Sequence, residues 1–390
     1  MKIKRTLEDR VRRLAEQYRV VTITGPRQSG KTTLCKMLFS ELPYVSLENP
    51  DLREAIQTDP VSFLERHRGS GVVIDEIQNV PELLSYIQGI VDEDEKPGQF
   101  ILTGSHQFSL MEGISQSLAG RTALVKLLPF SIVEANDVES LSSLEHYIFR
   151  GFYPGVWSQS LEPVSYYRNY FETYVQRDVR QMMQVKDLRL FRNFVRLCAG
   201  RVGQSFNASE IGNNLGVSSH TVKSWLSVLE ASYIVYLLEP FSGNIGKRLV
   251  KSPKLYFHDV GLASYLLGFN SPDQIFSDRM RGPLFENLVV IEFLKSRYNQ
   301  NRESNLFYYR DKQQHEIDLL IERNRCFDCV EIKSSATFSK DFLKGIGYLK
   351  KIQPDLIGES YLVYAGEMEG SIRGIQLVNY KGLTEKISGS

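Results

Sequence analysis

The stretch Arg19-Val20-Val21-Thr22-Ile23-Thr24-Gly25-Pro26-Arg27-Gln28-Ser29-Gly30-Lys31-Thr32 decides the fold class. Its first six residues are largely β-branched and apolar, as a buried parallel strand requires, and Thr33-Leu34-Cys35-Lys36-Met37-Leu38-Phe39 beyond it suits a helix. Between them, Gly25 to Thr32 satisfies G-x-x-x-x-G-K-[ST], a phosphate-cradling pattern when it lies between strand and helix. Glycine lets the backbone turn tightly and aim consecutive N–H groups at phosphate oxygens, at the positive end of the next helix. Gly25, Pro26, Arg27, Gln28, Ser29 and Gly30 are the expected cradle of ATP. Lys31 is expected to reach the β- and γ-phosphates, Thr32 to offer its hydroxyl to Mg2+, and Thr33 to touch the α-phosphate.

Gly71-Val72-Val73-Ile74-Asp75-Glu76 reads as a second buried strand, ending in two carboxylates. Following a phosphate loop, Asp75 is placed to hold the magnesium through water and Glu76 to polarise the attacking water, the alternative being two acids that cap a strand. A third apolar run, Phe100-Ile101-Leu102-Thr103-Gly104-Ser105, ends in hydroxyls, so Thr103 and Ser105 are either sensors of the γ-phosphate or plain strand-end turn residues. Arg121, in Ser117-Leu118-Ala119-Gly120-Arg121, is a candidate for stabilising transition-state charge across a subunit interface, or else a surface cation. The first role implies a homo-oligomer.

With 390 residues the chain exceeds one typical core and predicts two or three domains. Forty-seven basic against 46 acidic residues give a net charge of +1, which excludes a globally basic nucleic-acid coat and leaves only a local basic face. No apolar run approaches the roughly 20 residues of a membrane span, and the start Met1-Lys2-Ile3-Lys4-Arg5 leads into charged residues, so a cytoplasmic protein without a membrane partner is expected. The four cysteines are too few for a disulfide scaffold, and Cys326-Phe327-Asp328-Cys329 lacks the second pair that a structural zinc needs.

Residues 1–135 alternate strand-like and helix-like runs, which predicts an α/β domain on a parallel sheet. Expected strands are Val20 to Thr24, Tyr44 to Leu47, Val72 to Ile74, Phe100 to Thr103 and Ala123 to Leu127. Residues 136–200 read as a helical lid or linker, interrupted at Gly151-Phe152-Tyr153-Pro154-Gly155. Residues 201–270 carry helix-turn-helix spacing, with Ile211, Leu215, Val217, Val222, Leu226 and Leu229 around a break at Gly216. Asn207 is the expected cap of the first helix, and Ser218 or Ser219 that of the second. The runs from Tyr233 to Leu238 and from Lys254 to Phe257 would complete a winged helix as a hairpin. If it reads DNA, Ser219, His220, Lys223 and Ser224 face the major groove, with Lys247, Arg248, Lys251 and Lys254 near the backbone. The alternative is a packing or protein-binding module.

Residues 271–390 begin another α/β unit whose order is helix, three strands, helix, strand. Asp318 with Glu331 and Lys333 matches the D-x(n)-E-x-K pattern of restriction-endonuclease-like nucleases, and Glu286 stands where that fold puts a further acid on its first helix. Period-two alternation puts Glu331 and Lys333 on one strand face, where the three acids are expected to hold a second Mg2+ or Mn2+. A degenerate version would bind nucleic acid or a subunit without cutting.

The runs GPRQSGKTTL, VVIDEIQNVPELL, FILTGSHQFSL, SLAGR and PFSIVE together resemble those of AAA-type ATPases that join a P-loop domain to a C-terminal domain of unknown function. The likeness extends over GFYPGV, Tyr174-Val175-Gln176-Arg177-Asp178-Val179 and the C-terminal acid pattern, and implies Arg177 as a further contact near the nucleotide. The likeness fixes architecture better than role, and the residues read together predict an ATP-hydrolysing protein whose nucleotide state controls a DNA-binding, nuclease-like module. The alternatives are a switch that engages only proteins and a DNA-binding ATPase whose nuclease domain is inactive.

Overall fold

The computed structural model describes residues 3–105, 113–114, 116–175, 187–241, 252–383 and 386. They form two compact units, the first made of 1–130 with 231–233 and 297–302, the second of the remainder. Arg177, Lys247, Arg248 and Lys251 lie outside the described residues.

In the first unit the elements follow the order α1 (Glu8–Ala15), β1 (Val20–Thr24), α2 (Lys31–Leu38), β2 (Tyr44–Ser46), α3 (Pro50–Thr58), α4 (Pro60–Glu65), β3 (Val72–Asp75), α5 (Leu83–Glu93), β4 (Phe100–Gly104) and β5 (Thr122–Lys126). The five strands lie where the apolar runs predict them, within a residue or so at either end. They build one sheet in the order β2-β3-β4-β1-β5, every neighbouring pair parallel. Strands β1, β3 and β4 are buried along their whole length, because helices cover both faces of such a sheet. One face packs against Leu83, Leu84, Ile87 and Val91 of α5 and the other against Leu34, Cys35 and Leu38 of α2.

The topology sets up the site. Strand β4 lies between β1 and β3, with Ile23 level with Thr103 and Ile74 level with Leu102. The loop after β1, the acids that end β3 and the hydroxyl near the end of β4 therefore emerge together at the carboxyl edge of the sheet, where open α/β sheets bind ligands.

The second unit opens with helices Ile132–Asn136 (α6), Leu144–Arg150 (α7), Pro154–Ser158 (α8), Pro163–Tyr170 (α9) and Leu188–Ala199 (α10). Gly151 ends α7 at φ 64°, and a side chain there would collide with the Tyr167 hydroxyl and the Asp259 carboxylate. Asp259 accepts hydrogen bonds from the Phe152 N–H and the Tyr167 hydroxyl, both at 2.7 Å, so the Gly151–Val156 segment serves packing.

Helices α11 (Ala208–Leu215) and α12 (Ser219–Ala231) follow, then the antiparallel pair β6 (Val235–Leu238) and β7 (Lys254–Phe257). The Asn207 side chain caps α11, Gly216 leaves it in the left-handed region at φ 69°, and the Ser218 hydroxyl accepts the Thr221 N–H at 3.0 Å. Strand β6 starts two residues later than expected, because Tyr233 takes a left-handed backbone at φ 54°.

After α13 (Val260–Leu267) and α14 (Pro272–Phe276), the 19-residue α15 (Arg281–Asn299) leads into β8 (Leu306–Arg310), β9 (Glu316–Arg323), β10 (Cys326–Lys333), α16 (Lys344–Ile352), β11 (Ile357–Tyr364), β12 (Gly370–Ile372) and β13 (Ile375–Asn379). Their six-stranded sheet has the order β12-β13-β11-β10-β9-β8, antiparallel from β8 to β10 and parallel between β10 and β11. Helix α16 is the crossover that this parallel pair requires. Among the described residues no helix is long and apolar enough to cross a membrane.

Candidate active site

The loop from Gly25 to Thr32 has the backbone of a cradle. Gly25 sits at φ 147°, where a Cβ would collide with the carbonyl oxygen of Leu127, and Gly30 turns at φ 96° into the first residue of α2. The first N–H groups of α2 thus lack helical partners and face the concavity. Ser29 is fully buried within the loop, and its hydroxyl has no hydrogen-bond partner. An orphaned hydroxyl in a loop that leads into a helix N-terminus suits a bound phosphate. Lys31 folds back, its ammonium donating to the carbonyls of Gly25 at 3.0 Å and Pro26 at 2.8 Å. Burial pushes this ammonium below its ordinary range, while the charges of Glu76 and Asp75 draw it back up. Thr33 is exposed on the first turn of α2.

Asp75 is the hub. Its Oδ2 accepts the Thr32 hydroxyl at 2.9 Å and the Tyr44 phenol, and its Oδ1 accepts the Thr103 hydroxyl. Thr103 in turn accepts the Glu76 N–H at 3.3 Å, so one buried hydroxyl ties both acids to β4. Glu76 adopts a left-handed backbone at φ 57°, which turns its carboxylate away from the line of β3. That carboxylate accepts the Ser105 hydroxyl at 3.0 Å and the Gln78 amide. Both strand-end hydroxyls thus reach the acids of β3. Thr32 and Asp75 form a hard-oxygen pair at the lip of the cradle, the donor type that Mg2+ takes beside nucleotide phosphates, so the residues fit a nucleotide-bound magnesium.

Arg121 instead engages Asp92 through two nitrogens, at 2.5 and 2.8 Å, and the Ala119 carbonyl at 3.1 Å. That is the geometry of a surface cation, and any part for it at a neighbouring subunit's nucleotide requires this bond to open.

Three participants escape a reading of motifs. Arg5, 5% exposed, donates to the Ser29 carbonyl at 2.9 Å and the Leu128 carbonyl at 2.7 Å, bracing the loop from behind. Tyr44 and Gln78 add donors to Asp75 and Glu76. Only Gln78, two residues after Glu76, carries a sequence signal, its proximity to a strand-end acid.

In the second unit, β9 and β10 bring Asp318, Glu331 and Lys333 together. The Lys333 ammonium lies 2.7 Å from Glu331 and 3.2 Å from Asp318, whose Oδ2 also accepts the Ile332 N–H at 2.8 Å. Burial, reinforced by the Asp318 charge, pushes the Glu331 carboxyl up to about 8 in spite of Lys333. Glu286 on α15 accepts the Lys254 ammonium at 2.9 Å and the Tyr256 hydroxyl at 2.6 Å, and Lys254 also reaches Glu316 at 2.5 Å. Burial alone would lower the Lys254 ammonium, but Tyr256, Glu286, Asp318 and Glu316 hold it well above its usual range.

One expectation is corrected here. Lys254 is 2% exposed and is an internal counter-cation, not a residue near a DNA backbone. Among the described residues no group of three or more His, Cys, Asp or Glu is placed to hold a metal ion. Lys254 bridges Glu286 and Glu316, Lys333 bridges Asp318 and Glu331, and the second oxygen of Glu331 is buried without a hydrogen-bond partner. On α12, Ser219, His220 and Lys223 are exposed and Ser224 is half-buried.

A family model described as an AAA domain matches residues 17–136, and two described as domains of unknown function (DUF8612 and DUF4143) match residues 141–273 and 281–383. Uncharacterized proteins of Mycobacterium tuberculosis and Mycobacterium bovis are each 31% identical to this chain over 330 residues, 84% of this chain and 73% of theirs. Among solved structures, the Walker-type ATPase of Pyrococcus abyssi is similar at 17% identity and a TM-score of 0.42, over 68% of this chain and 96% of its own. AMPPCP-bound DnaA from Aquifex aeolicus is similar at 15% identity and a TM-score of 0.32, over 57% and 85%.

Proposed function

The chain belongs to the family of these mycobacterial proteins and carries an AAA-type ATPase domain, and from that premise we propose that ATP hydrolysis at Gly25–Thr32 controls a DNA-binding second unit that does not itself cleave DNA. The observation that carries the hydrolytic part is the convergence of Thr32, Thr103 and Glu76 on and beside Asp75 at one sheet edge.

ATP enters with its phosphates against the loop N–H groups, and the Ser29 hydroxyl gains a phosphate oxygen as partner. Lys31 leaves the carbonyls of Gly25 and Pro26 for the β- and γ-phosphate oxygens, which restore a counter-charge to its buried ammonium. Thr32 and Asp75 would hold the magnesium, which when bound would supply positive charge to the phosphate oxygens. Glu76, released from Ser105 and Gln78, takes a proton from the attacking water as that water's oxygen bonds the γ-phosphorus and the bond to the ADP oxygen breaks. Lys31 and the loop N–H groups stabilise the charge that collects on the departing ADP.

The DNA-binding part is supported by the succession of capped α11, Gly216 turn, α12 and the β6–β7 hairpin, with His220 and Lys223 exposed on the second helix. Absence of cleavage is supported by Lys254, whose ammonium already occupies Glu286 and Glu316 beside the acid pattern. Turnover of ATP measured without and with duplex or single-stranded DNA separates the claims. Lys31→Ala is expected to abolish turnover, and DNA to stimulate the wild type; plasmid incubated with Mn2+ is expected to stay intact. Turnover that survives Lys31→Ala overturns the site, indifference to every DNA form overturns the partner, and plasmid nicking lost in Lys333→Ala overturns the claim of an uncut substrate.

A further inference from the structure

We infer that Tyr44 is a positioning residue for the nucleotide-bound magnesium, fixing the Asp75 carboxylate toward Thr32; this rests on the reading of Thr32 and Asp75 as the magnesium-holding pair. Tyr44 opens β2, the strand beside β3, and its phenol donates to the same Asp75 Oδ2 that accepts the Thr32 hydroxyl. With Thr103 on Oδ1, three hydroxyls from three elements hold one carboxylate, which leaves it a single orientation. A ligand-side carboxylate is tuned by such partners, and their loss typically weakens metal binding by about 10- to 100-fold.

The tyrosine is itself polarised. The Lys36 ammonium, one turn along α2 from Thr32, sits 3.9 Å from the centroid of the Tyr44 ring. A cation over the ring face withdraws electron density and makes the phenol a stronger donor. The ring also packs at the margin of the core that holds Leu34 and Leu38, a role phenylalanine would preserve. The hydroxyl is therefore separable from the packing.

The test uses the full chain and a fluorescent ADP, titrated in EDTA and across micromolar to millimolar Mg2+, for wild type, Tyr44→Phe, Lys36→Met and Asp75→Asn, with a thermal melt of each. Tyr44→Phe is expected to bind the nucleotide in EDTA as wild type does, and to need about tenfold more Mg2+ for the half-maximal magnesium effect. Lys36→Met is expected to shift that midpoint in the same direction by less. A Tyr44→Phe midpoint equal to wild type, while Asp75→Asn moves it, overturns the inference and leaves the underlying site intact. A midpoint unmoved by Asp75→Asn, or no nucleotide binding by the wild type, overturns the site and the inference together. A weaker EDTA affinity in Tyr44→Phe with no magnesium shift assigns Tyr44 to packing and also overturns it.

Discussion

Replacing Thr103 by valine removes one hydroxyl and leaves the side-chain shape almost unchanged in a position that is fully buried. Two bonds go with it: the donation to Asp75 Oδ1 and the acceptance of the Glu76 N–H at 3.3 Å. A hydrogen bond to a charged group contributes about 1.5–3 kcal/mol, and a buried group left without its partner costs about 1–3 kcal/mol. Asp75 keeps Thr32 and Tyr44 on its other oxygen, so it stays in the site, but it gains rotational freedom. Glu76 loses the bond that fixes its left-handed backbone, and with it the aim of the carboxylate. At about 1.4 kcal/mol per factor of ten, losing 1.5–3 kcal/mol of alignment lowers kcat by roughly 10- to 100-fold. KM for ATP should change little, because the Thr103 hydroxyl bonds the acids of β3 and not the phosphate loop. Steady-state phosphate release at saturating ATP and Mg2+ reads the effect, and Thr103→Ser, which keeps the hydroxyl, should recover most of it. A Thr103→Val enzyme that folds normally and turns over within twofold of wild type would refute the reasoning.

Lys254→Met should destabilise the second unit by about 3 kcal/mol, the usual cost of removing one partner of a buried pair, since Glu286 and Glu316 lose their shared cation. The double variant Lys254→Met with Glu286→Gln should recover part of that loss in thermal melts. Glu331 has a folded-state value near 8, above its unfolded one, so its contribution to stability is complete below the unfolded value and fades as pH rises through about 8. Urea midpoints from pH 5 to 9 should therefore fall less steeply in Glu331→Gln than in wild type; parallel slopes would remove Glu331 as the cause. Gly25→Ala should abolish nucleotide binding in a fluorescent-ADP titration, because the Leu127 carbonyl occupies the space a Cβ would need.

The parts legible in the sequence are those whose cause is local. A β-branched run followed by a glycine-rich turn and a helix is a contiguous signal, so β1, the loop and α2 stand where the residues place them. Strand-end polar residues after apolar runs marked Asp75, Glu76, Thr103 and Ser105, and the sheet order brings them together because parallel strands end at the same edge. Asn207 and Gly216 were readable for the same reason, since a cap and a left-handed turn are decided within a few residues. What remained hidden depends on neighbours distant along the chain. Nothing around Tyr44 shows that β2 lies against β3 with its phenol on Asp75, and nothing in the basic N-terminal run shows that Arg5 braces Ser29. Lys254 follows a lysine-rich stretch and reads as a surface cation, yet its partners Glu286 and Glu316 come from α15 and β9 and enclose it. In the C-terminal pattern, β9 and β10 set Asp318 and Glu331 on either side of Lys333. Spacing shows Lys333 but not Lys254, which comes from β7 to lie between Glu286 and Glu316.

The most direct test of the account is single-turnover hydrolysis by Glu76→Gln beside wild type, with nucleotide affinity measured on the same samples. Glu76→Gln preserves the shape of the side chain and removes its ability to take a proton, so fluorescent-ATP affinity should equal that of wild type while hydrolysis slows by about 10²- to 10⁴-fold, the usual contribution of a general base. Hydrolysis at the wild-type rate in Glu76→Gln, or tight ATP binding by a wild type that never releases phosphate, would contradict it.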